Sequence, residues 1–245
     1  MPKNTFFQFK QFTVWQEKTA LKVCTESCIL GAYAAIKINK AKAILDIGTG
    51  TGLLALMIAQ KNRESKIDAI EIEESAYSQV VENVSKSIFL NQIQVINQDV
   101  KYFEPSIEYD LIVSNPPFYQ NYLKSETQQR NLALHDTSLT LQDLADAVSR
   151  LLSNDGQFIV LLPPLQMAQF EVLANQKGLF VASILKIYSK QPITSNNNLI
   201  FREICMFQKS DFQIDSGLET LYIYEEDQSY SKDFKKLLRD YYLHL

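Results

Sequence analysis

The chain is poor in the residues that build metal centres and disulfide frameworks. Its 245 residues include two histidines, His135 and His244, and three cysteines. Cys24, Cys28 and Cys205 form no Cys-x-x-Cys, and an odd, scattered set of thiols reads as reduced rather than bridged. Cys24 and Cys28 are spaced to share a helix face, but with so few histidines no metal site is expected. No apolar run approaches the ~20 residues of a membrane span, and the opening Pro2-Lys3-Asn4-Thr5 lacks the hydrophobic region of a signal peptide. A cytoplasmic protein away from membranes is the expectation. Internal repeats, low-complexity tracts and Pro/Gly linkers are missing as well, so the chain should fold as one domain, with a monomer favoured.

At 46% hydrophobic, the chain has enough apolar material for a large core. The clearest local pattern is Ala43-Ile44-Leu45-Asp46-Ile47-Gly48-Thr49-Gly50-Thr51-Gly52, a hydrophobic strand entering three alternating glycines. An amphipathic helix follows, with Leu53, Leu54, Leu56, Met57 and Ala59. Glycines allow a tight turn and let a ligand approach the main chain closely. A dinucleotide fingerprint needs a third glycine three places after the second, where this chain has Leu53. Asp-x-Gly-x-Gly-x-Gly suits S-adenosylmethionine better. That cofactor has no pyrophosphate; it offers an amino-acid end, two ribose hydroxyls and a sulfonium cation, so acids should surround the glycines.

Acids stand at strand intervals after them. Lys66-Ile67-Asp68-Ala69-Ile70-Glu71-Ile72 reads as a second strand, with Glu71 about where a ribose-binding acid belongs. Ile93-Gln94-Val95-Ile96-Asn97 reads as a third, followed by Asp99, a candidate acceptor for an adenine amino group. The expected cofactor set is Asp46, Gly48, Thr49, Gly50, Gly52, Glu71 and Asp99.

A second motif, Asn115-Pro116-Pro117-Phe118, follows the apolar run Tyr109-Asp110-Leu111-Ile112-Val113-Ser114. It joins an amide, a stiff backbone and an aromatic ring. A planar amino group could give its two hydrogens to the Asn115 side-chain oxygen and the Pro116 carbonyl while Phe118 stacks on its face. The prolines fix φ and restrict the residues before them, so such acceptors are aimed before binding. These four residues are the candidate catalytic set.

Residues 119–139 are polar and aperiodic and read as a substrate-facing flap. Thr140 should cap a helix running to about Leu152, before a strand over Gly156–Leu162 and a helix from Met167 to Gln176. Two strands, Phe180–Tyr188 and Leu199–Gln208, then form a hairpin with its tip at 191–198. The pattern predicts an α/β doubly wound fold: a mainly parallel, seven-stranded sheet in the order 3-2-1-4-5, closed by an antiparallel edge hairpin. Phe234, Leu237, Leu238, Tyr241 and Tyr242 fall at helical spacing near the C-terminus and predict a packing helix. Three regions follow: an extension over 1–42, a core over 43–209 and a C-terminal extension over 210–245.

Taken together, residues 43–118 resemble the class I, Rossmann-like methyltransferases that use S-adenosylmethionine, in their subgroup acting on conjugated nitrogens. Phe7-Gln8-Phe9-Lys10-Gln11-Phe12-Thr13-Val14, Lys22-Val23-Cys24-Thr25-Glu26 and Leu30-Gly31-Ala32 extend the likeness to bacterial tRNA (adenine-N6)-methyltransferases, which modify the adenine 3′ of the anticodon of a valine tRNA. The resemblance covers nearly the whole chain. Where that family is expected to carry Thr-Asp this chain has Thr25-Glu26, and where Arg-x-x-Ala-Arg-His is expected it has Arg130-Asn131-Leu132-Ala133-Leu134-His135. What the resemblance implies is N6-methylation of adenine in a tRNA; the chemistry of the Asn115 acceptor and a delocalised amino nitrogen points to direct transfer, without a covalent enzyme intermediate. Guanine-N2 methylation of ribosomal RNA, glutamine-N5 methylation of a release factor and a non-catalytic cofactor- or RNA-binding module stand as alternatives.

A net charge of −4 sits poorly with an RNA partner. The first 42 residues, however, hold seven lysines against Glu17 and Glu26. Lys10, Gln11 and Lys22 in this basic extension, with Arg130 and His135 in the flap, are the candidate RNA contacts.

Overall fold

The computed structural model describes residues 4–37, 41–117, 139–190, 200–209 and 217–245. Phe118, Arg130 and His135, the 119–138 part of the expected flap and the expected hairpin tip lie outside these residues. The chain opens with an antiparallel pair, β1 (Phe6–Gln8) and β2 (Thr13–Trp15), then helix α1 (Thr25–Lys37). Strand and helix then alternate through β3 (Ala43–Ile47), α2 (Leu53–Lys61), β4 (Lys66–Glu71), α3 (Glu74–Ser85) and β5 (Ile93–Asn97). A 3-10 turn (Val100–Tyr102) leads to β6 (Tyr109–Ser114), α4 (Leu141–Leu151), β7 (Leu152–Leu162) and α5 (Pro164–Gln176). The chain finishes with β8 (Phe180–Lys190), β9 (Arg202–Gln208), β10 (Gly217–Tyr224) and α6 (Lys232–Leu238).

The main sheet runs β10-β8-β9-β7-β6-β3-β4-β5. Five parallel strands in the order 3-2-1-4-5 match the expectation, and β9 is antiparallel to both of its neighbours. The sheet has eight strands rather than the expected seven. The difference is β10, which pairs parallel to β8 and takes the edge, so the hairpin lies one strand inside it. Leu221 and Ile223 supply β10's inward face.

Central strands are apolar on both faces because helices cover both. Packed on one face are α1, α2, α3 and α6, around Ile44, Leu56, Ile67, Leu111 and Ile159. Helices α4 and α5 cover the other, around Leu45, Ile112, Val148, Phe158 and Phe170. Gly31 lets α1 approach α2 closely: a Cβ there would lie 2.6 Å from Met57 Sδ.

Local signals agree with the element ends. Thr140 and Asp143 form a reciprocal capping box at α4, and Ser231 Oγ accepts from Phe234 N at 3.0 Å to start α6. The C-terminal helix stops at Leu238, short of the expected stripe. Tyr241 and Tyr242 follow in a turn, where Tyr241 Oη donates to Met57 O at 3.0 Å; both stay in the core by packing rather than by helical periodicity.

A buried polar residue ties residues 4–24 to this frame. Asn83, fully buried in α3, accepts from Trp15 N at 2.9 Å through Oδ1 and donates through Nδ2 to Trp15 O and Thr51 O, each at 2.8 Å. Gln79, one turn earlier, accepts from Lys18 N at 3.1 Å. Asn83→Ala would strand a buried donor and two acceptors, so it should lower the unfolding free energy by about 2–4 kcal/mol, read from urea denaturation.

Candidate active site

Strand β3 and its neighbour β6 end together. Ile47 is in register with Ser114, and Ser114 Oγ, completely buried, donates to Ile47 O at 2.9 Å. The next residues are Gly48 and Asn115, so the glycine turn and the Asn-Pro-Pro turn leave adjacent strands at the same edge. Neighbouring strands are about 4.8 Å apart. This is the crevice at the carboxyl ends of an open parallel sheet, where the strand order reverses.

The glycine turn needs its glycines for two reasons. Gly48, Gly50 and Gly52 have φ of 68°, 57° and 83°, in the left-handed region. A Cβ at Gly48 or Gly50 would meet nothing within 4 Å, which leaves open space over the main chain, whereas one at Gly52 would lie 2.7 Å from Val80 Cγ2. Gly52 therefore serves the packing of α3, and the other two border the crevice. Gly48 N and Thr49 N both donate to Ile70 O at 3.0 Å, pinning the turn to β4.

Two carboxylates organise the turn. Asp46 is fully buried; its Oδ2 accepts from Thr49 Oγ1 at 2.6 Å and from Ala55 N at 3.2 Å. Its Oδ1 is buried without a partner among the described residues. Burial pushes its carboxyl up to about 7, against the lowering effect of those hydrogen bonds. Glu71, at the end of β4, accepts from Gly50 N at 2.8 Å through Oε2 and from Ile72 N and Glu73 N at 3.0 Å through Oε1. A carboxylate has about four lone-pair sites, so Glu71 keeps capacity for a ligand hydroxyl. Asp99 caps the 3-10 turn by accepting from Lys101 N at 2.9 Å and pairs with Lys101 Nζ at 3.3 Å.

Asn115 donates from Nδ2 to Ser27 Oγ, in the first turn of α1, at 2.8 Å. Its Oδ1 is buried and has no partner among the described residues. Pro116 is buried and Pro117 exposed.

The candidate RNA contacts divide in space. Lys22 belongs to the segment leading into α1 beside Asn115, and its Nζ donates to Asn4 O at 3.2 Å. Lys10 Nζ donates to Arg239 O, and Gln11 Oε1 accepts from Arg63 Nη2 at 2.8 Å. Arg63 follows the C-terminal end of α2, so Gln11 is held at the end of that nine-residue helix, about 13 Å along it from the glycine turn. Lys18 and Lys37 pair with Glu82 and Glu219 of the same chain. Sequence reasoning missed Ser27, Asn83 and Asn97, whose Nδ2 donates to Glu71 O at 3.0 Å. Asn83 left a signal: with Gln79 it puts polar side chains four apart on the buried face of α3.

Comparison with known proteins identifies the family and the fold. The family model described as "Methyltransferase small domain" matches residues 33–162. A protein of Dyadobacter fermentans named tRNA1(Val) (adenine(37)-N6)-methyltransferase is 39% identical over 245 residues, covering 99% of each chain. One of the same name from Bacteroides thetaiotaomicron is 38% identical, again over 99% of each. Among solved structures, a predicted O-methyltransferase of Agrobacterium tumefaciens shares the fold with a TM-score of 0.65 at 16% identity, covering 87% of this chain and 95% of its own. Among the described residues no helix is long and apolar enough to cross a membrane, and no group of three His, Cys, Asp or Glu is placed to hold a metal ion.

Asp46 gives this turn a pH signature. A carboxyl raised in the folded state binds its proton more tightly than in the unfolded chain, so its contribution is full below about pH 4 and is lost as pH rises through about 7. Denaturation at a series of pH values should therefore find wild type losing stability relative to Asp46→Asn across that window.

Proposed function

The chain belongs to the methyltransferase small domain family, and from that premise we propose that it methylates the exocyclic N6 of an adenine in tRNA, the adenine 3′ of the anticodon in a valine tRNA. The likeness to the tRNA1(Val) (adenine(37)-N6)-methyltransferases supports this substrate, because it spans nearly the full length of both chains. The observation that carries the chemistry is the buried, unpartnered Oδ1 of Asn115. A buried amide oxygen without a donor is costly unless something fills the vacancy, and a planar NH2 entering the crevice is such a donor.

The residues of the glycine turn fit S-adenosylmethionine. The main chain at Gly48 and Gly50 borders open space, Asp46 has a free buried oxygen, and Glu71 has about one lone-pair site left for a ribose hydroxyl. In this reading Asp99 receives the cofactor's adenine amino group. When bound, that cofactor supplies an electrophilic methyl group on a sulfonium.

Adenine's amino nitrogen is a poor nucleophile because its lone pair is delocalised into the ring. Asn115 Oδ1 and the Pro116 carbonyl would take its two hydrogens, favouring a pyramidal nitrogen whose lone pair is free to attack. Asn115 would meet the positive charge that grows on nitrogen as it takes the methyl group, the methyl–sulfur bond breaking to leave a neutral thioether, and the nitrogen's proton would pass to water afterwards. Phe118 is assigned the face of the base. The base must leave its stack, which costs least in a single-stranded anticodon loop. Lys22, Arg130 and His135 are the assigned RNA contacts nearest the reaction in sequence or space, and Lys10 and Gln11 would meet a more distant part of the RNA.

Labelled donor offered in parallel to tRNA, ribosomal RNA and release factor should place label in the tRNA fraction as N6-methyladenosine. Label in ribosomal RNA or release factor instead would overturn the substrate assignment. Asn115→Ala should lower the rate at least ~100-fold, the scale of losing a transition-state hydrogen bond, with donor affinity by calorimetry unchanged. Turnover retained in that variant would remove the mechanism.

A further inference from the structure

We infer that Ser27 is a positioning residue that sets which way the Asn115 amide faces. This rests on the reading of Asn115 as the acceptor for a planar NH2. An amide side chain is nearly symmetric in shape but opposite in chemistry at its two ends: one accepts hydrogen bonds and the other donates. Turned one way, Asn115 offers the crevice an acceptor. Turned the other way, it presents its own NH2 to the incoming NH2, donor against donor, and the first hydrogen bond of the clamp is lost.

Ser27 resolves that choice. It is 8% exposed, and among the described residues its Oγ is the only hydrogen-bond partner of the Asn115 side chain, receiving Nδ2 at 2.8 Å. With Nδ2 held there, Oδ1 is left as the buried, unpartnered atom. Cys24 Sγ lies 3.0 Å from the same Oγ, a pair in which either atom can donate, and we take the hydroxyl as the donor. That leaves an oxygen lone pair for the amide. Ser27 itself is the polar entrance to the otherwise apolar run Cys28-Ile29-Leu30-Gly31-Ala32. Helix α1 is held against α2 at Gly31, so the hydroxyl is delivered by a rigid element rather than a loop. The orientation of the clamp is thus built in from the N-terminal side of the fold, 88 residues away in sequence.

Ser27→Ala removes the acceptor while leaving a strong helix former, so α1 should persist. With full-length protein, S-adenosylmethionine and unmodified valine tRNA, kcat should fall about tenfold, the scale of one orienting hydrogen bond. The KM for tRNA and the calorimetric Kd for S-adenosylhomocysteine should stay within about twofold of wild type, because neither reads the amide orientation. Ser27→Thr, which keeps a hydroxyl, should restore most of kcat. In 15N spectra the Asn115 side-chain NH2 signal, identified by its loss in Asn115→Ala, should exchange faster with solvent in Ser27→Ala. Wild-type kcat in Ser27→Ala overturns the inference. So does a joint loss of kcat, product affinity and thermal stability without rescue by threonine, which is the mark of a merely structural residue. A wild-type protein that methylates neither tRNA nor any other NH2 acceptor overturns the functional reading itself, a result visible before any variant is compared.

Discussion

The register between β3 and β6 is the constraint on which the site depends. Two short turns, distant in sequence, meet only because Ile47 and Ser114 are neighbours across a parallel ladder. The Ser114 hydroxyl bonded to the Ile47 carbonyl fills the last place where that ladder would otherwise end. A one-residue slip would turn every side chain of the strand to the other face and send Asn115 under the sheet. Both strands are buried on both faces, and the packed helices resist such a slip. Precision at the crevice is therefore inherited from the core, which explains how residues outside regular structure can be aimed to within a hydrogen bond.

Electrostatics in the crevice follow from what the turn can satisfy by itself. Glu71 receives three main-chain N–H groups from two different turns, so its charge is held in place without a basic side chain. Asp46 is treated differently: buried more deeply and less fully bonded, it keeps a proton to higher pH. Asp46 thus titrates near neutrality beside an acid whose oxygens are held by main-chain donors. That pairing suits a cationic ligand with an amino-acid end, since the positive charge can come from the ligand. The glycines contribute by omission, because a side chain at Gly48 or Gly50 would occupy the space that a ligand needs.

Much of this was legible in the sequence, for physical reasons. Each central strand is a largely apolar run followed by a glycine, an acid or a proline, and such endings mark the carboxyl edge, where ligands bind in open parallel sheets. The Thr140 cap was legible because its capping box is local, with both hydrogen bonds reaching three residues along the chain. β10 was not: its strand character rests on Thr220, Tyr222, Ile223 and Tyr224, and its partner is chosen by an edge left open by β8, a property of the assembled sheet. The C-terminal stripe was misread because spacing alone cannot distinguish a continuing helix from a turn that buries the same tyrosines. Ser27 was invisible for a similar reason. A serine near a helix start is ordinary, and only the folded chain brings Asn115 to it.

The N-terminal segment has a different relation to the site from the one its charge suggests. Seven lysines invite an electrostatic account, yet Lys18 and Lys37 are matched by acids of the same chain, and Lys10 is spent on a main-chain carbonyl. Neutral amides fix the segment instead. Gln16, almost fully buried, accepts from Val23 N, and Asn83 joins Trp15 to Thr51 in the glycine turn. The segment is thus bonded to the turn at one end and leads into the helix that holds Asn115 at the other. Surface ion pairs are weak and screened by salt, whereas buried amide bonds are costly to break, so the geometry of the segment should persist where its charges are screened. The crevice is framed by the sheet below and by this segment beside it, and a buried asparagine, rather than a lysine, makes the two a single unit.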